Sequence, residues 1–137
     1  MIDFDKFVIE ACGQTVIARF CDEIAPYAAA ELRKILPYKA PGTFAKIAGD
    51  ETYFAVPFSI NLDEERPAME VCKRGSISYW PKRPHLCFFY EPPQYEEQPA
   101  VICAQIIENV DGMGIINQAV REKQGIEISL RFYDDEK

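Results

Sequence analysis

Gly75-Ser-Ile-Ser-Tyr-Trp-Pro-Lys-Arg-Pro-His-Leu-Cys-Phe-Phe-Tyr90 is the stretch on which the reading of this 137-residue chain turns. It holds the only tryptophan, Trp80, the only histidine, His85, and the adjacent pair Phe88-Phe89. Aromatic and β-branched residues favour strands, and proline fixes the backbone at their ends. The stretch therefore reads as two strands, 76–80 and 86–90, around a rigid loop. Aromatic mass beside one loop marks either a packed barrel end or a pocket for an apolar ligand. Both readings stay open at this point.

Working outward, residues 6–12 and 14–20 are β-rich on either side of Gly13 and predict a hairpin. Residues 42–48 and 51–56 flank Gly49-Asp50 and predict a second. Residues 58–62 continue extended, 63–67 form a charged loop, and 69–72 suit a short strand. Residues 91–99 are a Pro- and Glu-rich surface loop. Ala100 to Ile107 is almost continuously apolar, the pattern of a central strand buried on both faces. The last strand, 126–132, alternates Ile126, Ile128, Leu130 and Phe132 with polar residues. Two helices interrupt the strands. The first, 26–36, opens on Pro26, stops at Pro37 and carries the stripe Ala29, Leu32, Ile35, Leu36. The second, 111–123, carries Ile115, Ile116, Ala119 and Val120, with Gly125 as its C-terminal cap. About eight short strands with turn signals favour a closed barrel, with the helices closing its two ends. The expectation is one domain over 1–137, with a core from about 6 to 132 and a frayed tail at 133–137.

Composition narrows the function. A net charge of −7 disfavours nucleic acid, which needs a basic face to displace counterions, and anionic membrane surfaces. No apolar run approaches the roughly 20 residues that span a bilayer, and the N-terminus has no basic leader, so a cytoplasmic protein is expected. Five cysteines, Cys12, Cys21, Cys72, Cys87 and Cys103, are odd in number and widely spaced. They form no zinc pattern and predict free thiols, with no metal and no cofactor. His85 and Cys87, at i and i+2, share one face of a strand, the single feature that hints at a nucleophile. Lys82-Arg83 near Lys73-Arg74 is either a solvated loop or a carboxylate site. Paired-carboxylate, nucleophile-elbow, metal and phosphate-loop motifs are all missing, which leaves hydrolytic or lyase chemistry through Lys46, His85 or Glu10 little support.

The order of elements resembles the cyclophilin-like fold, and most closely the small bacterial and archaeal cyclophilin-like proteins. Gln14 to Phe20, then Asp22-Glu-Ile-Ala-Pro26 and the Ala/Leu helix, is similar to the family's second strand and helix start. Thr43-Phe-Ala-Lys46 stands where cyclophilins have Thr-Phe-His-Arg, and Leu86-Cys-Phe-Phe89 resembles Ser-Gln-Phe-Phe. Ala100 to Met113 resembles the strand, Val-Glu-Gly-Met-Asp and helix region. Gly75 to Pro81 resembles the Gly-Asp-x-x-Tyr-Trp-Pro motif of the small bacterial group.

The resemblance implies a site. In authentic cyclophilins an arginine polarises the prolyl amide, helped by a Phe-walled pocket and by Gln, His and Trp. Amide rotation requires loss of C–N double-bond character, so a placed donor and a dry pocket lower a barrier of roughly 18–20 kcal/mol. By position Phe44 and Phe89 keep the apolar wall, Phe58 matches the family's final Phe, Lys46 replaces the arginine and Ala45 the histidine. No glutamine follows, and Tyr95 aligns only loosely with the pocket tryptophan. Lysine lacks the planar fork of arginine. The expected function is thus a binding domain for a small organic acid or short peptide, with little or no isomerase activity. Phe44, Phe58 and Phe89 would form the floor, Lys46 the anchor, and Trp80 and His85 the rim. The same phenylalanines equally suit plain barrel core. The alternatives are a prolyl isomerase working through Lys46 and an interaction module using loop 91–98. The sequence sets no oligomeric state.

Overall fold

The computed structural model describes residues 1–45, 51–60, 69–70, 73–80, 84–90 and 100–136, with only the backbone of Met69, Glu70 and Ala100. Lys46, the Gly49-Asp50 turn, residues 61–67, Cys72, Lys82-Arg83 and the 91–99 loop with Tyr95 lie outside the described residues. Ten strands are described: β1 (Ile2–Ala11), β2 (Gln14–Phe20), β3 (Tyr38–Pro41), β4 (Thr43–Ala45), β5 (Glu51–Ala55), β6 (Met69–Glu70), β7 (Ser76–Trp80), β8 (His85–Phe89), β9 (Ala100–Glu108) and β10 (Glu127–Asp134). Helices α1 (Pro26–Ile35) and α2 (Val110–Glu122) complete the fold.

The strands form one antiparallel sheet in the order β3-β10-β1-β2-β9-β7-β8-β5-β4, with β6 beside β9. The two end strands of that order, β3 and β4, are consecutive in the chain with Gly42 alone between them. The sheet therefore curls into a nearly closed barrel whose seam lies at Gly42. Hydrogen bonds fasten the seam: Gly42 N–H to the Ile126 carbonyl (2.8 Å), Gly125 N–H to the Gly42 carbonyl (2.9 Å), and the Tyr38 hydroxyl to the Ala55 carbonyl (2.8 Å). A Cβ at position 42 would sit 2.6 Å from Ile128 Cδ1, with Thr52 and Val120 also within 3.3 Å. The close approach at the seam thus requires glycine. β3 was absent from the sequence reading. Only its pairing to β10, Tyr38↔Leu130 through Pro41↔Glu127, makes it a strand.

The β1–β2 hairpin turns through Cys12 and Gly13, both at positive φ (54° and 75°). This suits the tight turns that join twisted strands. β9 buries consecutive residues, Val101, Ile102, Cys103 and Ala104, because it is central and covered on both sides. β10 runs on to Asp134, and Asp134 and Asp135 accept hydrogen bonds from the Met1 ammonium (3.2 and 2.8 Å). The last strand thus extends two residues past 132, into the segment read from sequence as tail.

The helices lie as expected, with one correction. α1 starts on Pro26 and buries Ala28, Ala29 and Leu32. α2 is capped by Asn109, whose side-chain oxygen accepts from Gly112 N–H (3.2 Å) while its amide donates to the Thr15 carbonyl (2.9 Å). The buried side chains of α2 are Met113, Ile116, Asn117 and Val120, whereas Ile115 is exposed. At 100° per residue the buried arc centred on Met113, Ile116, Asn117 and Val120 leaves Ile115 on the opposite side of the helix. Inside the barrel the Asn117 carboxamide oxygen accepts a hydrogen bond from the Thr52 hydroxyl, and this selects the face. Phe7, Ile9, Leu32, Phe54, Tyr79, Phe88 and Ile128 fill the same interior.

Candidate ligand-binding site

Side chains alternate across a strand, so β5, β8 and β7 present one set to the interior and another outward. Thr52, Phe54, Leu86, Phe88, Ile77 and Tyr79 point inward. The opposite set is Glu51 and Tyr53 on β5, His85, Cys87 and Phe89 on β8, and Ser76, Ser78 and Trp80 on β7. Strand pairing arranges these in rows. Glu51 is opposite Phe89; Tyr53, Cys87 and Ser78 form a second row continued by Ile102 of β9; Ala55, His85 and Trp80 form a third. Ala45 of β4 stands opposite Glu51.

This outer face is dry at its centre. Cys87, Phe89 and Ile102 make a buried cluster separate from the main core, with Tyr53 and Trp80 packed against it. Tyr53, Trp80 and His85 are half-buried, so the rim reaches solvent. The His85 and Tyr53 rings meet at 4.9 Å, and Trp80 Nε1–H donates to Ser78 Oγ at 2.8 Å. That bond fixes the indole edge and leaves its faces for packing.

Glu51 is the chemically unusual member. It is 6 % exposed, and burial pushes its carboxyl up to about 7, against a smaller opposing pull from a hydrogen bond with Cys87. Its Oε2 is buried without a hydrogen-bond partner, and among the described residues it is the one such side-chain atom. Buried polar atoms are nearly always paired, so this unpaired one sets Glu51 apart from the other described side chains. A carboxyl with a pKa near 7 exchanges its proton at neutral pH, the property required of a general acid or base. Sequence reasoning missed Glu51, because a glutamate at a strand start after Gly-Asp reads as solvated. The available signal was two-sided: Glu51 and Tyr53 alternate with Thr52 and Phe54 on a strand buried on both faces.

The residues expected to form one groove fall into two groups. Trp80, His85 and Phe89 come together on the outer face. Phe44 does not join them: it pairs with inward-facing Thr52, packs on the main core and lies 5.4 Å from the Arg121 guanidinium. Phe58 stacks on Tyr79 (5.3 Å, 13°), also on the core side. The reason is the strand period: Phe44 shares the face of Thr52, while Ala45 shares that of Glu51. Lys46 lies outside the described residues. Of the Lys73-Arg74 part of the basic cluster, Arg74 reaches Asp111 (2.6 Å) and lies 4.9 Å from the Tyr90 ring centroid. Among the described residues no three His, Cys, Asp or Glu side chains converge as a metal-binding group, and no helix is long and apolar enough to cross a membrane. Among the described residues no disulfide joins Cys12, Cys21, Cys87 and Cys103 to one another; Cys72 lies outside the described residues.

Comparison with known proteins agrees with the fold. McbB, solved in complex with tryptophan, superposes with a TM-score of 0.77 at 24% identity over 91% of this chain. The chain spans 44% of McbB. The hypothetical protein AF2241 from Archaeoglobus fulgidus, a solution structure, superposes with a TM-score of 0.66 at 14% identity, covering 93% of this chain and 94% of its own. At these identities the likeness speaks for the fold. No curated protein matches the sequence. The family model described as "Cyclophilin-like" matches residues 6–130, and the chain belongs to the cyclophilin-like family.

Proposed function

We propose that the outer face of β5, β8 and β7 binds a small ligand with an apolar or aromatic body, and that the protein has little or no prolyl isomerase activity. One observation carries this reading: Tyr53, Trp80, His85, Cys87 and Phe89 gather on the face of the sheet that does not build the main core. Aromatic walls with a few placed polar groups are what small-molecule sites are made of. McbB, of which this chain spans 44%, was solved in complex with tryptophan, which makes an aromatic amino acid a reasonable first ligand to try. Of the ligand classes expected from sequence, a short peptide suits these residues without further help. A small organic acid depends on Lys46 as its anchor.

Weak isomerase activity follows from chemistry. The arginine fork is replaced by lysine, and the histidine and glutamine helpers are missing. Loss of one such donor costs about 10²–10³ in rate. A protease-coupled assay on a Pro-containing peptide is expected to give a rate at least that far below ordinary cyclophilins.

Trp80, the only tryptophan, makes the binding test direct. Aromatic acids, amines and Pro-containing dipeptides are titrated while its emission is followed. A saturable shift that weakens in Tyr53→Ala and persists in Phe44→Ala is the expected result. Binding lost in Phe44→Ala but kept in Tyr53→Ala would move the site to the other face of β5.

A further inference from the structure

We propose that this site selects ligands bearing a protonated amine, with the Glu51 carboxylate as the group that receives it. The inference rests on the outer-face site proposed above and names what that site discriminates. Glu51 is buried, yet Oε2 has no partner. The groups on its face of the sheet are Tyr53 on its own strand, Ala45 on β4, Phe89 and Cys87 on β8, with His85 two residues beyond. Among the described residues no lysine or arginine pairs with it. A carboxylate held in such surroundings is costly unless a cation or donor meets it. The described residues place no such group there, so a ligand that brings one gains a pairing that Oε2 lacks. A carboxylate ligand adds a like charge to the same spot, and a neutral one leaves Oε2 as it was. The Tyr53 ring, two residues along the same face of β5, suits the apolar body of such an amine.

Charge-assisted hydrogen bonds are about twice as strong as neutral ones. The amine should therefore bind best where Glu51 is ionised. With the carboxyl at about 7, its ionised fraction rises about tenfold between pH 6 and pH 8. An alkylamine keeps its proton throughout, since its pKa lies near 10.4.

The test uses the whole chain and three matched probes: 3-phenylpropylamine, 3-phenylpropanamide and 3-phenylpropanoate, titrated against Trp80 emission at pH 6 and pH 8. The expected result is an amine bound at least about tenfold tighter than the amide at pH 8, the propanoate weakest, and amine affinity rising about tenfold from pH 6 to pH 8. Glu51→Gln should bring the amine to the level of the amide and abolish its pH slope, leaving amide binding in place. The wild-type pH profile stands by itself if that variant folds poorly. An amine bound no tighter than the amide, or a slope that survives in Glu51→Gln, overturns the assignment of Glu51 while the site remains. A silent response to all three probes overturns the site itself.

Discussion

The inner and outer faces of β5, β8 and β7 are equally dry at their centres, and they differ in how their polar atoms are satisfied. Inside, the Thr52 hydroxyl donates to Asn117, and the Tyr79 hydroxyl donates to the Phe58 carbonyl (3.3 Å) while accepting from Ile60 N–H (3.3 Å). Outside, Ser78 accepts from Trp80 and Ser76 from Lys73 N–H (2.8 Å), but Glu51 Oε2 has no hydrogen-bond partner among the described residues. A polar network that is fully satisfied rigidifies the fold, whereas an unpaired buried polar group costs stability. The contrast is the basis on which the outer face is proposed as the ligand site.

The comparison is most exposed to a truncation inside. Phe88, fully buried in the interior, should cost about 3–5 kcal/mol as Phe88→Ala, read from denaturant unfolding. A cost below about 1 kcal/mol would mean that the inner face does not carry the fold.

The next effect is a pH dependence. Glu51 has a folded pKa of about 7 against an ordinary value of 4.5. Its folded state therefore holds more protons than its unfolded state between those values. The associated stability is fully present below about pH 4.5 and lost as pH rises through 7, in total about 3 kcal/mol at 1.36 kcal/mol per unit. The stability difference between Glu51→Gln and wild type should shift by about that amount in the variant's favour from pH 4.5 to pH 8. A difference that stays constant with pH would show that Glu51 is solvated, and the contrast between the faces would collapse.

Smaller effects sharpen the picture. Thr52→Val keeps the shape but removes the donor to buried Asn117, and should cost about 1–3 kcal/mol without touching ligand binding. Trp80→Ala, at a half-buried rim position, should cost about 1–2 kcal/mol. Ligand binding in this variant, now followed by calorimetry, should drop sharply. Were Trp80→Ala as damaging as Phe88→Ala with binding intact, the outer face would be structural.

Much of the barrel was legible in the chain. Gly13, Pro26, Pro37 and Gly125 punctuate the elements, and the alternation of Ile126, Ile128, Leu130 and Phe132 sets the last strand. These are local effects of backbone conformation and two-residue or 3.6-residue periods, which a sequence carries openly. Trp80, His85 and Phe89 were legible for the same reason, as strand aromatics around one loop. What only the tertiary structure decided is which face each strand turns to which neighbour. Phe44 and Phe89 are both strand phenylalanines, and only the pairing of Phe44 with Thr52, and of Phe89 with Glu51, sends one inward and the other out. Ile115 and Ile116 are adjacent, and only the partner offered by Thr52 turns Asn117 and Ile116 inward. β3 exists because β10 supplies its hydrogen bonds. Glu51 is buried because the barrel sets β5 between β4 and β8, which the two-sided pattern of its strand only hints at. Periodicity is local and therefore written in the sequence, whereas burial and unpaired charge are set by contacts between residues far apart in the chain.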